Sequence, residues 1–163
     1  KNNVTGNDVI TNRRTLMIKD ILTEDLILTD ADAKDWRDAV RLCGELLVDQ
    51  GKVNEAFIQT MIDVIETYGP YMILVEGVAF FHGKPGSDVK EACLSLVTFK
   101  HKIVFDDFEN QEIDCAFGFG AVDSDSHMAM IMSLASLLQD TEFINLIRNH
   151  GLKAEIAAML KKY

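Results

Sequence analysis

The sequence predicts an α/β fold, a single layered domain in which a mixed, mostly five-stranded sheet is flanked by helices. Three observations lead there. Two segments with apolar residues at helical spacing precede residue 70, a cluster of short strand-like runs fills 71–121, and helical spacing returns from about 125. Of the 163 residues, 48% are hydrophobic and 26% charged. That suffices for one ordinary core and falls outside the disordered, collagenous and coiled-coil classes. No repeat or low-complexity segment interrupts the chain.

Residues 1–15 carry several asparagines and no periodicity, so they read as a flexible tail, with the domain proper at 16–163. Residues 17–22 suit a short helical turn or docking segment. Leu26-Ile27-Leu28, ended by Thr29-Asp30, reads as a first strand. Beyond it Trp36, Val40, Cys43 and Leu47 recur at helical spacing, with Ala39 and Leu46 widening the stripe. Asp32 is the expected N-cap and Gly51 the C-terminal glycine. A second helix is predicted over about 55–67, capped by Asn54, with Phe57, Met61, Ile62 and Ile65 on one face. Gly69-Pro70 ends it, because proline has no amide to continue the ladder.

Strands are predicted at 71–75, 78–81, 92–99 and 113–121, with 102–105 as a further piece before an acidic loop at 106–112. In the last of them Ile113, Cys115, Phe117 and Phe119 alternate with smaller or polar residues, a period of two. Strands this close together favour hairpins and edge pairings, so a mixed sheet is expected rather than a purely parallel one. Three helices complete the chain. The first starts near Asp125 and carries Ile131, Leu134 and Leu138; the second covers about 142–149 before Gly151; the third covers 153–161.

Composition then narrows the function. Sixteen lysines and arginines stand against 26 aspartates and glutamates, a formal charge of −10. Such a surface suits neither a nucleic-acid backbone nor an anionic membrane, so no nucleic-acid partner is expected, and a protein partner should be neutral or basic. Cys43, Cys93 and Cys115 are odd in number and lack a C-x-x-C spacing, so no disulfide framework is indicated. No apolar run approaches a membrane span, and the N-terminus has no apolar signal core. The glycosylation sequon Asn3-Val4-Thr5 is therefore discounted, and the compartment reads as cytoplasmic. A first residue other than methionine reads as a trimmed or excised chain.

Most familiar chemistries find no signature. Gly83-Lys84-Pro85-Gly86-Ser87 has the residue types of a phosphate loop at the wrong spacing, and Gly118-Phe119-Gly120 lies inside a strand pattern. No cofactor is expected. The histidines at 82, 101, 127 and 150 show no ligand spacing, and no metal is expected; His82, His127 and a cysteine could converge on one, but nothing in their spacing asks for it. No G-x-S-x-G occurs.

Two histidines stand out by position. His82 ends a strand and is followed by Gly83, Lys84 and Pro85, which suits an imidazole presented at a surface. A neutral imidazole can accept a phosphoryl group covalently. By spacing alone an ordinary loop histidine is the commoner case. His127 follows the cap-rich Asp123-Ser124-Asp125-Ser126 at the start of a helix, where free amides and the helix dipole favour an anion and a neutral imidazole. A solvent-facing first-turn histidine is the commoner case there too.

Residues 71–85, reading Tyr-Met-Ile-Leu-Val-Glu-Gly-Val-Ala-Phe-Phe-His-Gly-Lys-Pro, resemble the phosphorylation-site segment of the mannitol/fructose-type enzyme IIA family of the sugar phosphotransferase system (PTS). The ascorbate-type branch is the nearest. Leu94-Ser95-Leu96-Val97 and Ile103-Val104-Phe105 resemble the strands that follow it. Ala121-Val122-Asp123-Ser124-Asp125-Ser126-His127 resembles the family's second-histidine segment, with Asp140 after the Leu134–Leu138 helix. Upstream, Asp35-Trp36-Arg37-Asp38-Ala39-Val40-Arg41 and Leu47-Val48-Asp49 also fit. The similarity runs from about Met17 to the end of the chain. One position departs from the pattern: Phe81 stands where the family usually has proline, which would fix the backbone before the histidine.

The resemblance implies the family fold and a cytoplasmic phosphotransferase component without cofactor. His82 would take a phosphoryl group from the phosphohistidine of the carrier HPr and pass it to a IIB component, commonly to a cysteine, for uptake of an ascorbate-like carbohydrate. The membrane IIC component would be reached only indirectly. His127 would hydrogen-bond the phosphoryl group or the His82 ring. The alternative implied by the same resemblance is an enzyme IIA-like regulatory domain excised from a transcriptional antiterminator or activator and controlled by histidine phosphorylation.

Overall fold

Among the described residues four strands carry the fold: β1 (Ile27–Ala31), β2 (Gly77–His82), β3 (Cys93–Phe105) and β4 (Gln111–Gly120). The computed structural model describes residues 16–163, so the expected tail and the Asn3 sequon lie outside the described residues. The strands form one sheet in the order β1-β3-β4-β2. The central β3–β4 pair is antiparallel, and β1 and β2 join it in parallel at the two edges. The mixed sheet expected from the sequence is therefore present.

It has four strands rather than five, and the reason is local. Residues 71–75 form no ladder of their own. Gly77 takes φ 77°, a left-handed conformation that glycine adopts without a Cβ clash, and the chain reverses there. The Val78 amide donates to Val75 O at 3.0 Å and the Phe80 amide to Met72 O at 3.2 Å. The segment thus lies back along β2 by two hydrogen bonds. Met72 is buried in the core, Ile73 and Val75 are half-buried and Leu74 is exposed. The predicted pieces at 92–99 and 102–105 are one strand, β3, with an irregularity in its pairing to β4 between Thr98 and Ile103.

Among the described residues six α-helices surround the sheet: α1 (Ile18–Ile21), α2 (Trp36–Asp49), α3 (Ala56–Tyr68), α4 (Ser124–Leu138), α5 (Thr141–Arg148) and α6 (Lys153–Leu160). α2 starts later than the sequence suggests. Its cap is Asp35, not Asp32, because the Asp35 carboxylate reaches the Asp38 amide at 2.8 Å. Asn54 does not cap α3 through its side chain; only its carbonyl takes part, accepting from the Phe57 amide at 3.0 Å. Gly51 and Gly69 stand just past their helices with positive φ, as expected.

α2 and α3 cover one face of the sheet, and α4–α6 the other. The first interface holds Trp36, stacked on Phe105 with ring centres 5.9 Å apart, together with Phe57 and Phe81, all essentially inaccessible. Each such side chain contributes about 1.5–3 kcal/mol through burial. On the second face Phe143, Ile147 and Ile156 close the layer. Asp140 caps α5 at the Phe143 amide and also receives the Tyr163 hydroxyl at 2.5 Å and Lys162 at 3.2 Å. These partners, Tyr163 foremost, pull its carboxyl down to about 2.

α4 is less deeply seated. Met130, Leu134 and Leu137 are buried, whereas Ile131, grouped by spacing with Leu134 and Leu138, is 38% exposed. The helix is rotated so that His127, Ile131, Leu134 and Leu138 line a cleft beside the end of β2.

Candidate functional site

The site arises where an edge strand stops. Side chains alternate along β2, so Phe80 and His82 face α4 while Ala79 and Phe81 face the α2–α3 layer. Phe80 stacks on Phe117 (5.1 Å, 6°) and His82 on Phe119 (4.9 Å, 24°). Phe81 is fully buried, 6.5 Å from Phe105 between ring centres. The departure from the family's proline therefore fills the core on the face away from His82. Gly83 follows because the chain presses on α3: a Cβ at that position would stand 2.7 Å from Thr60 Cγ2 and 3.1 Å from the Phe57 ring.

Both nitrogens of His82 are engaged. Nδ1 lies 3.0 Å from Phe80 O. A carbonyl only accepts, so Nδ1 carries the proton of the neutral ring and Nε2 carries the lone pair. Nε2 lies 2.9 Å from the Tyr71 hydroxyl, which donates to it. Burial is the main influence on the ring and holds its pKa below the usual 6.5. The Phe80 carbonyl pulls it upward and neighbouring His127 downward. His82 is a neutral imidazole with one nitrogen fixed and the other turned to the cleft.

His127 comes from the first turn of α4. The cap of that helix is Asp123, whose carboxylate accepts from the Ser126 amide at 2.7 Å and the Ser126 hydroxyl at 2.6 Å. The His127 amide donates to Asp123 O at 3.0 Å. These bonds set the ring 5.4 Å from His82 and 5.4 Å from Phe119 between centres. Partial burial lowers its pKa as well. The two histidines singled out by sequence thus converge, edge to face, across 45 residues of chain.

The cleft they share has a volume of about 300 Å³. Its lining is apolar except for Tyr71, His82 and His127, and it contains no lysine, arginine or carboxylate. Sequence reasoning missed two contributors, Tyr71 and Phe119. Tyr71 is the sole hydroxyl-bearing residue between Gly69 and His82, a signal hidden by reading 71–75 as a strand. Phe119 was visible as one step of the period-two pattern, though not as a support for the ring of His82.

The other candidates lie elsewhere. His101 is exposed on β3, and His150 pairs with Asp30 at 2.8 Å. All three cysteines are buried; burial drives the Cys43 and Cys115 thiols well above their usual range and Cys93 up to about 11. Among the described residues no three His, Cys, Asp or Glu side chains gather as a metal site. A larger, polar cleft of about 420 Å³ sits at the opposite end of the strands, where Arg148 and Lys102 pair with Asp114 at 2.8 and 3.3 Å.

A strand-end histidine with one ring nitrogen held by a carbonyl thus faces a second histidine on a helix N-terminus. Comparison with known proteins gives the family. Residues 20–163 match the family described as phosphoenolpyruvate-dependent sugar phosphotransferase system, EIIA 2, and the chain belongs to that family. Over 149 residues it is 31% identical to the ascorbate-specific PTS system EIIA component of Shigella boydii serotype 4 (strain Sb227), covering 90% of this chain and 97% of that one. The solution structure of the mannitol-specific cryptic phosphotransferase enzyme IIA from Escherichia coli superposes with a TM-score of 0.81 at 27% identity, covering 91% of this chain and all of the other. Mannitol enzyme IIA in its complex with phosphorylated enzyme IIB from the same species has a TM-score of 0.76 at 21% identity over 88% of this chain, a likeness of fold. The chain is a PTS EIIA component with the α/β fold of the mannitol-type IIA domains.

Proposed function

We propose that the chain is a phosphoryl carrier in which His82 Nε2 accepts phosphate from phospho-HPr and yields it to a IIB component. The observation that carries this reading is the bond from Nδ1–H to Phe80 O, which leaves Nε2 as the nucleophilic nitrogen at the mouth of the cleft. The pair on Nε2 forms the new bond to phosphorus while the donor nitrogen keeps the pair of the bond that breaks. The Nδ1 proton stays in place. Transfer of this kind asks little covalent chemistry of the protein and rests on positioning and charge stabilisation.

His127 serves the charge. Its lowered pKa keeps it neutral beside neutral His82, so it neither repels the incoming imidazole nor protonates prematurely. A phosphoryl dianion a few ångströms away favours the imidazolium form, which then donates a charge-assisted hydrogen bond. The exposed apolar side chains that line the cleft, Leu74 and Ile131, suit protein partners that must approach to within bonding distance.

The IIB assignment draws on the mannitol-type neighbour seen with phosphorylated IIB, and the ascorbate-like carbohydrate on the ascorbate-specific relatives. Among the described residues no helix is long and apolar enough to cross a membrane. The reading places the carrier in the cytoplasm, in contact with IIC only through IIB. The test is reconstitution with phosphoenolpyruvate, enzyme I and HPr. The wild-type chain takes up an acid-labile phosphate that an ascorbate-type IIB drains, and His82→Ala takes up none. Label retained in His82→Ala contradicts the assignment.

A further inference from the structure

The Tyr71 hydroxyl sits on the atom that is to react. Its oxygen lies 2.9 Å from His82 Nε2, and the two rings meet at 90° with centres 5.9 Å apart. Tyr71 is not packed away for structural reasons: it is 54% exposed, and its other aromatic neighbour, Tyr68, is 68% exposed. The backbone beneath it is fixed all the same, because buried Met72 accepts the Phe80 amide and ties the segment to β2. The result is a hydroxyl on an anchored turn, free to rotate at the surface and aimed at a lone pair.

We propose that Tyr71 is a catalytic residue of this site. In the resting protein its O–H caps Nε2, and after transfer the same O–H turns to hydrogen-bond an oxygen of the bound phosphoryl group. The proposal rests on the reading of His82 as phosphoryl acceptor. The cap and the attacking pair compete for one orbital, so the hydroxyl must release Nε2 before the N–P bond can form. The unit transferred is PO₃⁻: the donor's N–P bond breaks with its pair left on the donor nitrogen, and the Nε2 pair makes the new bond. No proton leaves Tyr71 or Nδ1. Once phosphorus occupies Nε2 the hydroxyl has lost its acceptor, and the nearest replacements are the phosphoryl oxygens themselves.

The composition of the cleft makes this donor matter. Its lining holds no lysine or arginine, and its polar groups are Tyr71, His82 and His127. With His82 consumed by the bond, the phosphoryl charge is met from the lining by one imidazole and one phenol. Hydrogen bonds to charged groups are roughly twice as strong as those between neutral ones. Exchanging a neutral nitrogen for a phosphoryl oxygen therefore favours the phosphorylated form.

Tyr71→Phe keeps the ring and removes the hydroxyl. The first readout is an NMR titration of the His82 ring nitrogens without any phosphate donor. Loss of a donor that stabilises the lone pair is expected to raise the His82 pKa and to shift the Nε2 resonance. A titration identical to wild type overturns the cap. The second readout is the equilibrium of phosphate between HPr and this chain. It is expected to move roughly tenfold toward phospho-HPr in Tyr71→Phe, following the difference between a charged and a neutral hydrogen bond. An unchanged equilibrium overturns the phosphoryl contact. If phospho-HPr labels neither protein, the carrier reading fails and takes the phosphoryl contact with it, while the titration still decides the cap by itself.

Discussion

His82 donates Nδ1–H to the carbonyl of Phe80, two residues before it on its own strand, and that bond leaves the lone pair on Nε2, the nitrogen we propose as the phosphoryl acceptor. Burial lowers the pKa of both His82 and His127 below 6.5. In the unphosphorylated protein both rings are expected to titrate below that value by NMR; a midpoint at or above 6.5 for either contradicts the neutral pair. In the phosphorylated protein the His127 pKa is expected to rise, since an adjacent dianion stabilises imidazolium. His127→Ala should still accept phosphate but pass it on about 10-fold or more slowly, the scale of one charge-assisted hydrogen bond. Unchanged onward kinetics, measured by rapid quench with IIB, remove that role.

Two elements place these residues, and each has its own test. β2 carries His82 on one face and buries Phe81 on the other, so Phe81→Ala is expected to cost about 3–5 kcal/mol of stability, as for other buried aromatics. Phe81→Pro loses the same packing and should be destabilised while still taking label on His82. Greater stability than wild type in Phe81→Pro, measured by denaturant unfolding, would show that the aromatic is not structural. α4 depends on Asp123, which holds the first turn through Ser126. Asp123→Ala should lower Tm, because the cap that holds the first turn is lost. It should also weaken the His127 phenotype-bearing contact, seen as a His127 resonance shifted toward solvent-like values.

For the molecule as a whole, the two partly buried imidazoles link stability to pH. Their folded pKa values lie below 6.5 and the unfolded values near it, so in that window the unfolded chain binds more protons. Their contribution is complete above pH 6.5 and is lost as pH falls through the lowered values. The fall in Tm from pH 7.5 to pH 5 is expected to be smaller in a His82→Gln, His127→Gln double variant than in wild type. An equal fall in both, by calorimetry, contradicts the linkage.

The helices and both histidine segments were legible in the sequence because periodicity, caps and glycine stops act locally. The first strand and β4 were legible for the same reason. The residues 71–75 misled because an apolar run that a turn folds back along β2, burying Met72 alone, has the composition of a strand; only Gly77 marked the reversal. The break between 99 and 102 misled because Lys100-His101-Lys102 is polar although the backbone continues as β3. Tyr71 could not be assigned to the site at all, since its contact with His82 depends on that turn. Convergence of His82 with His127 is likewise a property of the sheet order, which no local pattern encodes.

The most direct measurement is ³¹P–¹⁵N correlation NMR on the wild-type chain phosphorylated through enzyme I and HPr. Phosphorus coupled to Nε2 of His82, with Nδ1 still protonated, is the predicted result. Phosphorus on Nδ1 of His82, or on His101, His127 or His150, would contradict it.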